Sequence, residues 1–347
     1  MGRGGAAMVR SDVPPRSRLL GWGFRVPSTV VTNDDLSPIV ETTDEWIQQR
    51  TGIRERRYAD DVDGSVALAE PAARDAIAMA GLVPTDIDLI ICGSLSPDID
   101  WPGNSSLLHE RLGIPAVTGF DLRNQCSAFV YGLAIADQYI RTGGARHVLV
   151  VGSEIHSSGL DFEGGRGRDV TVLFGDGAGA AVVGPSDDAE RGLLSFALHA
   201  DGEHAERLAV IGPACRQKPR LRADQIPPES AFVYPVMNGR YVFKHAVEGM
   251  TEAVREVAAK AGVAVEEISM LLPHQANLRI NQLVAMGLGF DETRMSNNID
   301  RYGNTTAATI PILLTETAAA GKLERGDLVC FAAFGAGFTW GAALYRW

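Results

Sequence analysis

No apolar stretch of this 347-residue chain approaches the ~20 residues of a membrane-spanning helix. Its 4 cysteines, Cys92, Cys126, Cys215 and Cys330, show no Cys-x-x-Cys spacing, so neither a zinc site nor a disulfide framework is indicated. Positive charge is in deficit. Lys and Arg number 32 against 43 Asp and Glu, and the net charge of -11 argues against a nucleic-acid surface. Residues 1–18 are Gly/Arg-rich without an apolar core segment, and a flexible tail rather than a signal peptide is expected there. Unpaired thiols and no secretory segment point to a reducing cytoplasm. Glycine, by contrast, is abundant at 38, which implies tight turns and close backbone approaches. A 46% hydrophobic composition over this length suffices for two packed layers or two fused domains.

The chain partly overlays itself at a shift of 181 residues. Residues 72–81 meet residues 253–262, and both stretches predict an amphipathic helix stopped by glycine. An acidic turn and an apolar strand follow each, at 87–92 and 268–272. Further on, Cys126 falls opposite Asn304 at an offset of 178. Strands alternating with helices predict an α/β fold of βαβ units with mainly parallel, buried sheets. Two duplicated halves are expected, 19–185 and 186–347, with equivalent loops meeting at a pseudo-twofold axis.

Three polar residues stand at ends of apolar runs. Cys126 follows the strand-like 117–122 and opens a helix from Ser127 to Thr142. A helix N-terminus favours a thiolate, although most free cysteines are small buried hydrophobes. Cys92 and Cys330 lie inside apolar strands and read as core; Cys215 is assigned nothing. His274, in Pro273-His274-Gln275-Ala276-Asn277, sits at a strand's carboxyl end and is placed for a cleft. The alternative for this residue alone is a hydrogen-bonded structural histidine. Asn304 alone would be a helix cap. Together a thiol, an imidazole and an amide suffice for acyl-thioester chemistry without a metal. The loop 334–341, Phe-Gly-Ala-Gly-Phe-Thr-Trp-Gly, suits an oxyanion hole, or simply a tight hairpin. The run 174–181, Phe-Gly-Asp-Gly-Ala-Gly-Ala-Ala, lacks the dinucleotide-binding context and predicts close packing near the axis.

Seven spaced markers carry a resemblance from about Leu19 to Trp347: residues 43–47 and 51–56, the Cys126 turn, 174–179, 274–277, the Asn304 turn and 335–341. The chain resembles the β-ketoacyl-acyl-carrier-protein synthase III family of the thiolase superfamily. The resemblance implies a five-layered αβαβα fold, a homodimer and no permanently bound cofactor. It implies that Cys126 is acylated by an acyl thioester, usually of coenzyme A, with the N–H groups of Cys126 and Ala336 holding the oxyanion and Phe334 beside the thiol. His274 and Asn304 would stabilise the enolate left when a malonyl carrier protein loses CO2, and condensation would give a β-ketoacyl thioester. Trp46, Arg50 and Arg168 match coenzyme A contacts. Lys244 and Arg279 match a carrier-protein patch, which Arg216, Lys218, Arg220 and Arg222 would extend unless they form a solvated loop. Trp101 matches an aromatic that reaches across the dimer into the acyl pocket.

The sequence departs from the family pattern in places. Ser127-Ala128 replaces Ala-Gly, Asn124-Gln125 replaces a pair of alanines, and Ala336 replaces glycine. Residues 199–234 match poorly and are expected to shape the acyl pocket. These changes point toward a longer primer or a specialised polyketide or natural-product pathway as well as fatty-acid initiation. A papain-like protease shares the Cys, His, Asn order but not the repeat or a Cys-Gly-Ser-Cys-Trp signature. A degradative thiolase would want a second cysteine at Ala336. A silent dimer partner would not need the trio. Acyl transfer from Cys126 to an alcohol or amine, without decarboxylation, is the alternative reading.

Overall fold

The computed structural model describes residues 16–60, 64–162, 168–216, 218–222 and 233–347. Most of the expected tail, residues 1–15, and part of the expected pocket segment, residues 217 and 223–232, lie outside the described residues. Ser17 and Arg18, expected in the tail, instead begin the first strand, Ser17–Arg25. Ser17 is buried and its hydroxyl donates to Asp137 at 2.7 Å, which anchors the chain there.

Two sheets form the framework. The first has the strand order Ser17–Arg25, Gly177–Pro185, Val148–Glu154, Leu89–Gly93, Thr118–Leu122. Leu89–Gly93 pairs in parallel with both its neighbours, and the Gly177–Pro185 strand runs antiparallel to both of its own. The second sheet has the order Gly192–Ala200, Thr339–Arg346, Leu328–Gly335, Met270–Pro273. Its last pairing is parallel and the others antiparallel. A parallel bridge from Leu271 to Met295 occupies the place of a fifth strand. The two sheets therefore share one connectivity, as a duplication requires.

Alternation along fully buried strands explains the layers. Leu89 and Ile91 face inward onto the helices Ala128–Arg141 and Thr309–Ala319, which lie between the sheets. Ile90 and Cys92 face outward onto the helices Ser65–Met79 and Asn104–Leu112. In the second half Phe331 faces inward, and Leu271 and Cys330 face outward onto Gly239–Ala261 and Leu278–Leu288. The result is helix, sheet, helix, sheet, helix. The first half of the Thr309–Ala319 helix, residues 309–314, is buried on every side, while Glu316 and Ala319 in its second half reach solvent.

The repeat register differs from the expected one. The 3-10 turn Gln125–Ser127 corresponds to the 3-10 turn Thr306–Ala308, each leading into a central helix. Gln125 and Thr306 both have φ of 46°, in the left-handed region. This alignment places Ala307, not Asn304, opposite Cys126. The loops still meet, since an added Cβ on Gly152 or Gly93 would reach Ala307.

Candidate active site

Cys126, His274 and Asn304 line one cavity of about 980 Å³, with Phe334, Gly335, Trp46, Arg50 and Arg279. All three polar residues are buried, at 8%, 2% and 4% exposure. Each is fixed by its own motif. The Cys126 turn is tied to the C-terminal loop by Ser127, whose hydroxyl donates to the Asn124 carbonyl at 2.8 Å and lies 2.8 Å from Thr339 Oγ1. Thr339 in turn donates to the Ala336 carbonyl at 3.1 Å. The Ser at 127 thus fixes the Ala336 peptide relative to the sulfur. Gly335 has to be glycine for the same close approach: a Cβ there would sit 2.9 Å from both Cys126 Cβ and Cys126 N.

The His274 N–H donates to the Ala332 carbonyl at 2.8 Å, which ends the strand at the cavity floor. Gln275 reaches across to the Asn304 side, where its Oε1 accepts from the N–H groups of Asn298 and Ile299 at 3.1 and 3.2 Å. Asn277 caps the following helix and donates from Nδ2 to the Arg50 carbonyl at 3.0 Å, tying this turn to the Trp46 helix. The 174–179 run holds Asn304. The Asn304 N–H donates to Leu173 at 2.8 Å, and the Gly175 N–H donates to Asn304 at 3.1 Å. Asn304 Oδ1 accepts from the Thr306 N–H at 2.8 Å, so its Nδ2 donor is the end left for the cavity.

His274 Nδ1 lies 2.7 Å from Thr309 Oγ1, and its Nε2 is buried with no partner. An orphaned buried nitrogen at a cavity wall is a place for a ligand atom. Burial pushes the imidazole down to about 3, so His274 is neutral at physiological pH.

The sulfur behaves differently from the sequence expectation. Burial, and then the nearby Glu154 carboxyl, push the Cys126 thiol up to about 12. The N–H of Cys126, the Thr306 hydroxyl and the N–H of Ala336 oppose this without reversing it. Desolvation outweighs the helix N-terminus, and the resting residue is a thiol. Glu154 itself is fully buried and is pushed up to about 7 by burial, although Ser96, Leu95 and Ala307 donate to it. Glu154 and His156, which sequence reasoning passed over, end the strand Val148–Glu154 much as His274 ends its own; that strand-end position is the signal that marks them.

At the mouth, Arg50 and Arg168 both lie against the Trp46 ring, with guanidinium carbons 4.6 and 4.9 Å from its centre. Arg168 also donates to the Glu41 carbonyl at 3.0 Å. Arg279 is exposed at the rim. Lys244 is exposed, 3.8 Å from Glu248, and does not line the cavity. Arg216 pairs with Glu206, and Arg220 with Asp100 at 2.6 Å. Trp101 is 80% exposed and does not reach the cavity of its own chain. Among the described residues no helix is long and apolar enough to cross a membrane.

A five-layered thiolase fold with a buried cysteine lining a cavity beside a histidine and an asparagine defines a class of acyl-transferring condensing enzymes. Two family descriptions match the chain: 3-oxoacyl-[acyl-carrier-protein] synthase III over residues 120–202, and the C-terminal part of the same synthase over 258–347. β-Ketoacyl-[acyl-carrier-protein] synthase III of Rhodospirillum centenum is 44% identical over 96% of this chain and 100% of its own. The crystal structure of 3-oxoacyl-[acyl-carrier-protein] synthase III from Aquifex aeolicus is 42% identical, with a TM-score of 0.86 over 95% of this chain and 100% of that one. The priming β-ketosynthase of the R1128 polyketide biosynthetic pathway is 34% identical, with a TM-score of 0.86 over 97% and 98%. The chain belongs to the β-ketoacyl-acyl-carrier-protein synthase III family. It is a transferase of the condensing-enzyme class.

Proposed function

We propose that the chain carries out a decarboxylative Claisen condensation that starts an acyl chain. The observation that carries this reading is the convergence of Cys126, His274 and Asn304 on one cavity, with His274 Nε2 unpartnered there. Cys126 sulfur attacks the carbonyl of an acyl-coenzyme A. The N–H groups of Cys126 and Ala336 hold the oxyanion, the carbon–sulfur bond to coenzyme A breaks, and the thiol proton leaves with coenzyme A as its thiol. Trp46 stacks on the adenine, and Arg50 and Arg168 meet the phosphates.

Malonyl carrier protein then enters the emptied tunnel, guided by Lys244 and Arg279. Its carbon–carbon bond to the carboxylate breaks, CO2 leaves, and the electron pair becomes an enolate. In the His274 tautomer that carries the ring hydrogen on Nε2, Nδ1 accepts from the Thr309 hydroxyl 2.7 Å away, which then gives up its bond to the Thr306 carbonyl at 3.0 Å, and Nε2 donates to the enolate oxygen beside Asn304 Nδ2. Two neutral donors preorganised in a dry site are worth several kcal/mol to this step. The enolate carbon attacks the acyl carbonyl, the bond to Cys126 breaks to release a β-ketoacyl thioester, and the expelled Cys126 thiolate takes up one proton from solvent to return to the resting thiol. The enzyme works as a cytoplasmic homodimer of two thiolase-like halves per chain, 19–185 and 186–347, with Trp101 completing the acyl pocket of the other copy.

The synthase and ketosynthase descriptions of the relatives favour carbon–carbon bond formation over transfer to an alcohol or amine, and fatty-acid initiation as its setting. Intact-protein mass spectrometry after exposure to a panel of acyl-coenzyme A thioesters tests the first half. The wild type gains one acyl group and Cys126→Ser gains none. Equal labelling of both would refute the assignment.

A further inference from the structure

The reaction above uses the tips of His274 and Asn304 and requires that something aim them. A carboxylate outside the cavity is placed to do so. Glu316 lies on the central helix Thr309–Ala319, and its side chain is 21% exposed. It accepts four hydrogen bonds from one stretch of chain, residues 298–302. Asn298 Nδ2 donates at 2.9 Å, Arg301 donates from Nη1 and Nη2 at 2.8 Å each, and the Tyr302 hydroxyl donates at 2.7 Å. Burial pushes the carboxyl up, but the bonds from Arg301, Asn298 and Tyr302 hold it below its ordinary range, so it is an anion. Charge-assisted bonds to a bidentate arginine are the strong and directional kind.

The stretch so held is the short helix Ile299–Tyr302 with Asn298 before it. Asn304 stands two residues beyond. The Gly303 N–H donates to the Ile299 carbonyl at 2.9 Å, so the chain passes directly from this helix to Asn304. At the other end, the N–H groups of Asn298 and Ile299 hold Gln275 Oε1, and Gln275 Nε2 donates to the Pro273 carbonyl at 2.8 Å. Pro273 and Gln275 flank His274 in the chain. A path of hydrogen bonds thus runs from Glu316 through Asn298 to both neighbours of His274.

Helix periodicity supplies a second grip. Thr309 and Glu316 are seven residues apart, two turns, and so share one face of the helix about 10 Å apart. Thr309 Oγ1 lies 2.7 Å from His274 Nδ1. One helix face therefore holds the His274 turn twice, at the ring through Thr309 and at the backbone through Glu316. The groups proposed to act on the acyl carbonyl are tied differently. Cys126 and Ala336 are joined through Ser127 and Thr339, whereas the four bonds to Glu316 all come from residues 298–302.

We propose that Glu316 is a positioning residue for decarboxylation: it sets where His274 Nε2 and Asn304 Nδ2 stand relative to the enolate oxygen and has no part in acylation of Cys126. The inference rests on the decarboxylative reading given above. Donors misplaced by ~1 Å cost up to ~100-fold, which bounds the effect.

Glu316→Gln keeps the volume and one acceptor but loses the charge and the second acceptor. Its kcat for release of labelled CO2 from malonyl carrier protein is expected to fall about 10- to 100-fold at unchanged KM. Intact-protein mass spectrometry should find Cys126 acylated at the wild-type rate. Tyr302→Phe, which removes one hydroxyl and keeps the ring, should show the same split with a smaller fall, and it carries the test if Glu316→Gln does not fold. Hydrogen exchange without substrate gives a separate reading: amides of residues 298–304 should exchange faster in Glu316→Gln, and those of residues 124–127 should not. Wild-type CO2 release in these variants overturns the proposal, as does a parallel loss of acylation and decarboxylation. If the wild type itself releases no CO2, the decarboxylative reading falls. Exchange then decides whether Glu316 holds the turn, and unchanged exchange at residues 298–304 overturns that too.

Discussion

Changing Asn304 to Asp replaces a single group. Asn304 Oδ1 is pinned by the Thr306 N–H at 2.8 Å, so an aspartate keeps that acceptor and the same volume, and the fold should persist. The group lost is the Nδ2 donor facing the cavity. One preorganised donor to a developing oxyanion is worth ~3 kcal/mol, a factor of ~100 in rate. An ionised carboxylate adds repulsion: at ~4 Å from the enolate oxygen and an effective dielectric of ~20, it costs ~4 kcal/mol more. Decarboxylation of malonyl carrier protein by Asn304→Asp should therefore fall by more than ~100-fold at pH 8. Toward acid the carboxyl protonates and regains an O–H donor, so its deficit shrinks, whereas Asn304→Ala stays ~100-fold down throughout. Release of labelled CO2 between pH 5 and 8 measures this, and intact mass measures acylation, which both variants should retain. Wild-type decarboxylation by Asn304→Asp at pH 8 would refute the donor role. Loss of acylation in step with decarboxylation would show instead that Asn304 only shapes the site.

Two further outcomes follow from the same geometry. Trp46→Ala removes the ring that Arg50 and Arg168 approach at 4.6 and 4.9 Å. Stacking on a base is worth ~1–3 kcal/mol, so KM for acyl-coenzyme A should rise about tenfold at unchanged kcat. An acyl-pantetheine substrate, lacking the adenine, should show no change, and an equal loss with it would mean that the ring is structural. Glu154 holds its proton up to about 7 in the fold, against an ordinary value of 4.5. A raised carboxyl gives stability that is fully present below pH 4.5 and is lost as pH rises through 7. That loss amounts to about 3 kcal/mol. Glu154→Gln should be less stable at low pH but free of this decline. Denaturant unfolding at pH 5 and 7.5 compares them, and parallel curves would contradict the buried-proton assignment.

Most of the architecture was legible because its signals are local. Apolar strands such as Leu89–Gly93 bury both faces, and helices end at glycines with positive φ, as at Gly262 and Gly289. The repeat register was less legible. Matching by residue type set polar Asn304 against polar Cys126, whereas the backbones superpose Thr306 on Gln125. Neither Thr nor Gln is a residue whose identity announces a φ of 46°. The start of the first strand was misjudged for a related reason: Ser17 is polar in sequence but buried against Asp137, a partner 120 residues away.

The site divides along the same line. Cys126, His274 and Asn304 stand at strand and helix ends inside distinctive turns, and those turns are visible in one dimension. The charge state of the sulfur is not. A helix N-terminus argues for a thiolate, but the opposing forces, desolvation and the Glu154 carboxyl, come from the tertiary fold, and they win. The consequence is mechanistic. A nucleophile that rests as a thiol needs its donors at the moment of attack rather than before it. The N–H groups of Cys126 and Ala336 and the hydroxyl of Thr306 all act against the burial that protonates the sulfur. Every one of them sits on a turn whose close packing, through Gly335 and Gly152, leaves no room for a Cβ. Rigidity around the sulfur is therefore part of its reactivity, since donors that cannot move aside lose no free energy in reorienting when the charge appears.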